Sequence, residues 1–261
     1  MTQTAKEYCH QGRNEELTPA GNERAKEFYR RAIEADPDYM PAYAELSYVF
    51  VRDFQNAWGD KDRQASLDEA LRLAQRAVDL VTNSSAWHND FRGWWYRAIV
   101  YWNLGDFDKS YAEFAIARSH ITLLRRFIDE PDLDADMAEA LVYGGEPELA
   151  VAMIEDAIRR KSGFPYWVLW NLGRAYYMCG QYRNAIATID KIENPPNDVR
   201  LITAASHAQL ADIDTAKAIM AKFSAEDRDW TIEKAMVYHY RRLSDRDLWI
   251  DGLQKAGLRD K

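Results

Sequence analysis

The chain has 261 residues, of which 47% are hydrophobic and 29% are charged. This composition is typical of a folded globular protein and argues against a collagen-like, disordered or low-complexity chain. The 34 Lys and Arg against 42 Asp and Glu give a formal charge of −8, which opposes binding to nucleic acid where no basic patch is present. The length allows one or two domains, or one elongated array of repeats.

The N-terminal residues lack an apolar core of signal-peptide length, and no stretch approaches the roughly 18 apolar residues of a membrane span. We therefore expect a cytoplasmic protein that does not associate with a membrane. Cys9 and Cys179 lie far apart, and neither belongs to a CxxC or Cys/His motif. Two free thiols, no metal site and no cofactor are predicted.

Apolar residues recur with helical spacing nearly throughout, and no convincing strand pattern is present, so the fold class is predicted to be all-α. Thr18 and Pro19 supply an N-cap and a proline at the first helical position. They predict a helix that ends before Asp36, and a second helix is expected to begin near Pro41.

The helical segments also repeat. The clearest unit spans residues 165–196 and places the small residues Gly173 and Ala185 where two antiparallel helices would cross. Other units in the same register carry the marker residues Ala25, Tyr29 and Ala32; Tyr43, Leu46, Ser47, Ala70 and Ala77; Trp94, Ala98, Tyr101, Gly105 and Phe114; Ala138, Leu141, Gly145 and Ala150; and Ala204, His207, Ala211 and Ala216. The first of these is predicted as a half-unit, and the second is expected to contain an insertion at residues 59–66.

This spacing resembles that of tetratricopeptide repeat (TPR) proteins, whereas a helical bundle gives small residues no reason to recur at a fixed offset of about 34. It predicts a right-handed TPR α-solenoid forming a single domain over residues 1–261. Repeat units are expected over residues 17–229 and polar capping helices over 230–261, at about 230–242 and 244–255.

A narrower resemblance rests on Tyr8, on Gly12-Arg13, and on a C-terminal pattern, Asp251-Gly252-Leu253 followed by Lys255-Ala256-Gly257-Leu258. In these features the chain resembles the C-terminal TPR region of bacterial class III adenylate/guanylate cyclases and of related winged-helix transcriptional regulators. The chain has neither a cyclase catalytic domain nor a DNA-binding domain, and several of its repeats lack the terminal proline. The resemblance therefore implies a regulatory or interaction module without cyclase activity.

Reactive groups do not converge in the sequence. The five histidines are scattered, and no phosphate-binding glycine loop or nucleophile motif occurs. Asp129, Asp132, Asp134 and Asp136 lack the central glycine and the later glutamate of an EF-hand, so we expect a solvated loop with a helix cap there. The protein is predicted not to be an enzyme.

Aromatic residues make up 13% of the chain. In a TPR array the first helix of each unit lines the concave face. The repeat register then places these residues in a binding groove: Tyr48, Arg92, Trp95, Trp102, Glu139, Trp167, Trp170, Arg174 and Tyr177. Trp, Tyr and Arg are typical of binding hot spots, and Trp167 and Trp170 are the predicted anchors.

The alternative for these aromatics is packing between helices or against the insertion. The Lys/Asn clamp by which some TPR proteins hold a peptide carboxylate is not reproduced, since Tyr48, Ile99 and Arg174 occupy those places. Two functions remain: an interaction module for a peptide or partner domain, and a sensory module whose groove encloses a small ligand and regulates a signalling effector. An open groove favours the first, and a groove closed by residues 59–66 or by the C-terminal helix favours the second. The oligomeric state is left open.

Overall fold

The computed structural model describes residues 2–58, 62–83, 87, 90–124, 131–160, 163 and 165–261, with residues 121–124 described by their backbone alone. Within these residues the chain forms fourteen helices and no strand, which confirms the all-α prediction. The chain divides into two compact units, Met1–Asp129 and Glu130–Lys261, which we call the N-terminal and C-terminal units. Each is described by itself, and the single continuous domain stays a prediction.

The N-terminal unit consists of three successive helix pairs. Its helices are α1 (Gln3–Arg13), α2 (Pro19–Ala35), α3 (Met40–Asn56), α4 (Arg63–Asn83), α5 (Arg92–Asn103) and α6 (Phe107–Leu124). Each odd-numbered helix packs on the even-numbered helix that follows it, and the odd-numbered first helices also pack on one another. This arrangement is the one a solenoid requires, because each pair buries its apolar face only against its neighbours.

The C-terminal unit continues the same design with three further pairs and a different ending. Its helices are α7 (Pro131–Tyr143), α8 (Pro147–Arg160), α9 (Tyr166–Met178), α10 (Tyr182–Ile189), α11 (Val199–Gln209), α12 (Ile213–Glu226), α13 (Ile232–Ala235) and α14 (Leu243–Lys255). The first helices α7, α9 and α11 again form one layer.

The N-terminus holds a helix that sequence analysis missed. The Thr2 hydroxyl accepts a hydrogen bond from the Ala5 amide at 3.2 Å and caps α1. Gly12 of α1 lies so close to Tyr29 of α2 that an added Cβ would stand 2.7 Å from the tyrosine ring. The predicted half-unit is therefore the second helix of a complete pair. The α2 start was predicted correctly, since Thr18 caps it by accepting from the Gly21 amide.

The repeat register is confirmed at the α9/α10 crossing. A Cβ added to Gly173 would lie 2.7 Å from Cδ1 of Ile189, so a larger residue there would force the Ile189 side chain to move. The turns between first and second helices repeat as well. Gly105, Gly145 and Gly180 each have a positive φ near 80°, at 81°, 83° and 71°, where glycine avoids the strain of a Cβ.

Three local expectations were wrong. Helix α4 begins at Arg63, inside the expected insertion, and residues 59–61 lie outside the described residues. Asp134 and Asp136 lie in α7 and are buried rather than in a solvated loop, because Arg160 of α8 neutralises Asp134; Asp129 is outside the described residues. The expected helix at 230–242 is the short α13 alone, and residues 236–242 are not helical.

Candidate functional site

An aromatic pair marks the first helices of the N-terminal unit. The Tyr48 ring on α3 stacks on the Tyr96 ring of α5, with centroids 5.3 Å apart and an interplanar angle of 20°. The Arg52 guanidinium carbon lies 4.6 Å from the Tyr48 ring centroid on the same helix, a cation–π distance. All three side chains are partly exposed. They form a shared patch across neighbouring first helices.

Charged side chains border this patch. Arg13 of α1 donates to Glu45 of α3 at 2.8 Å, so the contacts reach from α1 to α5. Arg92 of α5 pairs with Asp90. Burial opposes the charge of Arg92, but the hydrogen bond to Asp90 and the charges of Asp90 and Glu45 raise its pKa.

We call the residues joined by these contacts the first-helix face of the N-terminal unit. They are Arg13, Glu45, Tyr48, Arg52, Arg92 and Tyr96.

The two predicted groove tryptophans of this unit lie deeper. Trp102 is only 1% exposed, and its predicted place in an open groove is wrong because α5 turns this side chain into the core. Trp95 is 9% exposed and stacks on Phe91 at 5.9 Å while contacting Tyr96 at 5.4 Å. Trp95 therefore packs against the Tyr48–Tyr96 patch and exposes little surface to which a partner could bind.

In the C-terminal unit the first helices are covered by the chain itself. Elsewhere in this unit each new first helix contacts the second helix of the preceding pair more extensively than the first helix of that pair, as α11 contacts α10 more than α9. Helix α14 instead packs chiefly on α11 and also touches α9 and α12. Residues 236–242 reach α7, where the Arg241 amide donates to the Tyr143 carbonyl at 2.9 Å. We call residues 236–255 the C-terminal segment.

Tyr177 of α9 contacts α14 through both its hydroxyl group and its ring. Its hydroxyl donates to the Leu248 carbonyl at 3.0 Å, and its ring meets Trp249 edge to face at 5.3 Å. A Cβ at Gly252 would lie 2.1 Å from the Tyr177 hydroxyl, so the glycine permits this contact. Gln209 of α11 adds a hydrogen bond to Asp251 at 2.9 Å. Tyr177 is 0% exposed, and its predicted exposure in a groove is wrong for this reason.

Arg174 lies beneath the C-terminal segment inside a cage of three rings. Its guanidinium carbon is 4.7 Å from the ring centroid of Trp249, 5.5 Å from Trp170 and 5.6 Å from Tyr143. The side chain is 6% exposed, so it is not open to solvent as an open groove would require. Trp170 is partly buried against the same core, while Trp167 is partly exposed and lies outside this cage.

Two carboxyl groups lie near this guanidinium. Burial raises the pKa of Glu139 to about 7, against the opposing effects of the Arg174 charge and a hydrogen bond from Asn171. Burial also raises the pKa of Asp198, which the charge of Arg174 again opposes. Both groups therefore hold a proton more readily than exposed carboxylates do.

Several residues of the first-helix face and of the C-terminal segment were not predicted. Arg52 and Tyr96 follow from Tyr48 once α3 and α5 are known to be neighbours, because they occupy the next helical turn and the facing helix. Tyr240 and Trp249 carried no such signal. Their segment was interpreted as an end cap, and its return onto the first helices depends on tertiary contacts.

Burial keeps both cysteine thiols protonated. Both cysteines are free, as predicted, and burial raises the pKa of Cys9 to about 12 and that of Cys179 to about 11. Among the described residues, no group of three or more His, Cys, Asp or Glu side chains is placed to hold a metal ion. None of the helices described is both long and apolar enough to cross a bilayer.

Comparison with known proteins agrees with this architecture. Family models described as tetratricopeptide repeat match residues 135–199 and 22–39. The comparison with curated proteins gives no match.

Solved structures of low sequence identity share the fold. The APC/C hetero-tetramer Cut9–Hcn1 matches with a TM-score of 0.66 and 15% identity, over 97% of this chain and 43% of that one. PilW, a type IV pilus biogenesis factor, gives 0.59 and 16%, over 91% and 99% of the two chains. PilF of Pseudomonas aeruginosa gives 0.56 and 16%, over 90% and 95%. The chain therefore carries tetratricopeptide repeats and has the fold of a TPR α-solenoid.

Proposed function

We propose that this chain is a non-catalytic interaction module that binds a peptide or a partner domain on the first-helix face of its N-terminal unit. The observation that carries the proposal is the stack of Tyr48 on Tyr96, with Arg52 over the Tyr48 ring. Tyr and Arg contribute large binding energies at interfaces because they bury much surface at a low cost in conformational entropy. These rings are already ordered by one another, which lowers that cost further.

The charges of this face favour a polypeptide partner. Arg13 and Glu45 lie beside the aromatic patch with opposite signs, and the chain as a whole carries a formal charge of −8. A surface of mixed sign suits the mixed charges of a protein, whereas a nucleic acid requires a continuous basic track. We therefore include no nucleic acid and no membrane among the partners, and a cytoplasmic location remains a prediction.

Photo-crosslinking tests this proposal at a single position. A benzophenone amino acid in place of Tyr48 is expected to capture a protein from lysate of the source cell. Tyr43 gives a matched control, because it lies on the same helix but its ring faces Arg76 of α4. Replacing Tyr96 with Ala should lower capture from position 48 at least about tenfold. Equal adducts at positions 43 and 48, or no effect of Tyr96→Ala, would contradict the proposal.

A second function is favoured by one observation in the C-terminal unit. There the C-terminal segment closes over the first helices and encloses Arg174 among rings, which suits a small ligand better than an extended peptide. Such a unit would sense the ligand and regulate a signalling effector, such as a cyclase or a transcription factor. This function and the interaction through Tyr48 use separate surfaces.

A further inference from the structure

Among the buried polar atoms of the C-terminal unit without a hydrogen-bond partner, two are donors on neighbouring turns of α9: Nη1 of Arg174 and Nε1 of Trp170. The Tyr240 hydroxyl is also buried and interacts with the Arg174 side chain. Arg174 is 6% exposed and Tyr240 is 9% exposed. Buried donors are almost always paired in folded proteins, because an unpaired one keeps the full cost of losing its water. Two such donors on neighbouring turns of one helix, with the Tyr240 hydroxyl beside Arg174, therefore indicate an acceptor that binds there.

The three side chains belong to one cluster. The Arg174 guanidinium carbon lies 5.5 Å from the Trp170 ring centroid and 5.6 Å from the Tyr143 ring centroid. The Tyr143 ring in turn lies 4.9 Å from the Tyr240 ring. Tyr143 thus joins the α9 residues to the C-terminal segment, and Trp249 completes the enclosure at 4.7 Å from the guanidinium.

The unpaired atoms select an acceptor. The Arg174 and Trp170 nitrogens only donate hydrogen bonds, and the Tyr240 hydroxyl is able to donate. A guanidinium in a water-poor site binds a planar carboxylate best, since the charge strengthens the hydrogen bonds. Arg174 supplies a single positive charge, which matches one carboxylate better than an anion of higher charge such as phosphate. The surrounding rings favour an apolar body on the ligand.

We propose that the C-terminal unit binds a small monocarboxylate, with its carboxylate on Arg174, Trp170 and Tyr240 and its apolar body between the rings. This inference deepens the second function above and names its ligand. It is independent of the Tyr48 surface, because the residues involved lie in α7, α9 and the C-terminal segment, all within the C-terminal unit.

The test uses the full chain and two probes, benzoate and butyrate, with benzamide as a neutral control of the same shape as benzoate. Tryptophan fluorescence reports binding, since Trp170 and Trp249 flank the guanidinium. We expect saturable binding of at least one of the two acids and none of benzamide. No saturable binding of either acid up to about 10 mM, or equal binding of benzamide, would overturn the proposal.

Conservative variants locate the site without removing its rings. Trp170→Phe deletes the Nε1 donor, and Tyr240→Phe deletes the hydroxyl; each should weaken binding of the acid by about tenfold. Tyr176→Phe is the matched control on α9, because the Tyr176 hydroxyl donates to Glu155 of α8, and it should leave the affinity unchanged. Arg174→Gln should abolish binding, and circular dichroism shows whether that variant folds. Unchanged affinity in both Trp170→Phe and Tyr240→Phe would overturn the proposal.

The outcomes also separate this inference from the proposed functions. Failure of both acids removes the monocarboxylate site but leaves crosslinking at Tyr48 unaffected. Binding of an acid with no adduct at position 48 supports the small-ligand function and removes the interaction surface.

Discussion

The first helices of the two units differ in how much of their surface is exposed to solvent. In the N-terminal unit the first helices present Tyr48 and Tyr96 as a partly exposed stack with Arg52 beside it. In the C-terminal unit the corresponding side of α9 is sealed, with Tyr177 fully buried under α14. The comparison teaches that repeat register fixes which side chains point away from the second helices. What they then meet depends on the segment that follows the last repeat.

The largest expected effect comes from removing the residue that fills the covered face. Trp249→Ala should lower the free energy of unfolding by about 3–5 kcal/mol, because this ring is 1% exposed between Tyr177 and Arg174. Tyr48→Ala in the other unit should cost only about 1 kcal/mol, since that ring is partly exposed. Urea unfolding measures both. Similar losses in the two variants would remove the contrast between the faces.

A smaller effect tests the helix register beneath the covered face. Gly173→Leu should destabilise the protein by about 1–3 kcal/mol, because even a Cβ would lie 2.7 Å from Cδ1 of Ile189. Thermal and urea unfolding give the loss. In the double variant with Ile189→Ala the added cost of the leucine should fall, since space is opened at the crossing. A fully tolerated Gly173→Leu would show that α9 and α10 cross elsewhere.

A third effect, in the C-terminal unit, depends on pH. Glu139 has a pKa of about 7 in the fold against an ordinary 4.5, because burial disfavours its charge. Between pH 4.5 and about 7 the folded state therefore keeps a proton on Glu139 that the unfolded state has lost. The free energy of unfolding falls as pH rises through this range. Glu139→Gln should lose this slope and be more stable than the parent at pH 8, by roughly 1–3 kcal/mol.

Unfolding in urea at pH 5 and pH 8 measures the Glu139 effect. Glu146→Gln is the control, because this glutamate is exposed and its ion pair with Arg242 is long, at 3.5 Å. If the parent and Glu139→Gln lose the same stability between the two pH values, Glu139 is not the titrating group.

Much of the fold could be predicted from the sequence because repeats are local. Thr18 and Pro19 marked the start of α2, and Gly173 marked a close crossing, since each acts within one helix or one pair. Helix α1 was missed because its buried residues, Ala5, Cys9 and Gly12, are small and lie among polar neighbours. Their helical spacing became meaningful only with α2 packed against it.

The site was less predictable, because exposure depends on distant contacts. Tyr48 and Arg174 were both assigned to one binding groove, yet Tyr48 is partly exposed while Arg174 is 6% exposed and enclosed by rings. Tyr177 was assigned by the same register, yet its exposure is decided by Leu248 and Gly252, more than seventy residues away in sequence. No periodicity within the repeats carries that information.

Hydroxyl-radical footprinting of the intact chain tests the central contrast most directly, because it measures the solvent access of individual aromatic side chains. Our account predicts faster oxidation of Tyr48 and Tyr96 than of Tyr177 and Trp249, which are 0% and 1% exposed. Oxidation of Tyr177 and Trp249 at the rate of Tyr48 would contradict it, since the C-terminal segment would then not cover the first helices.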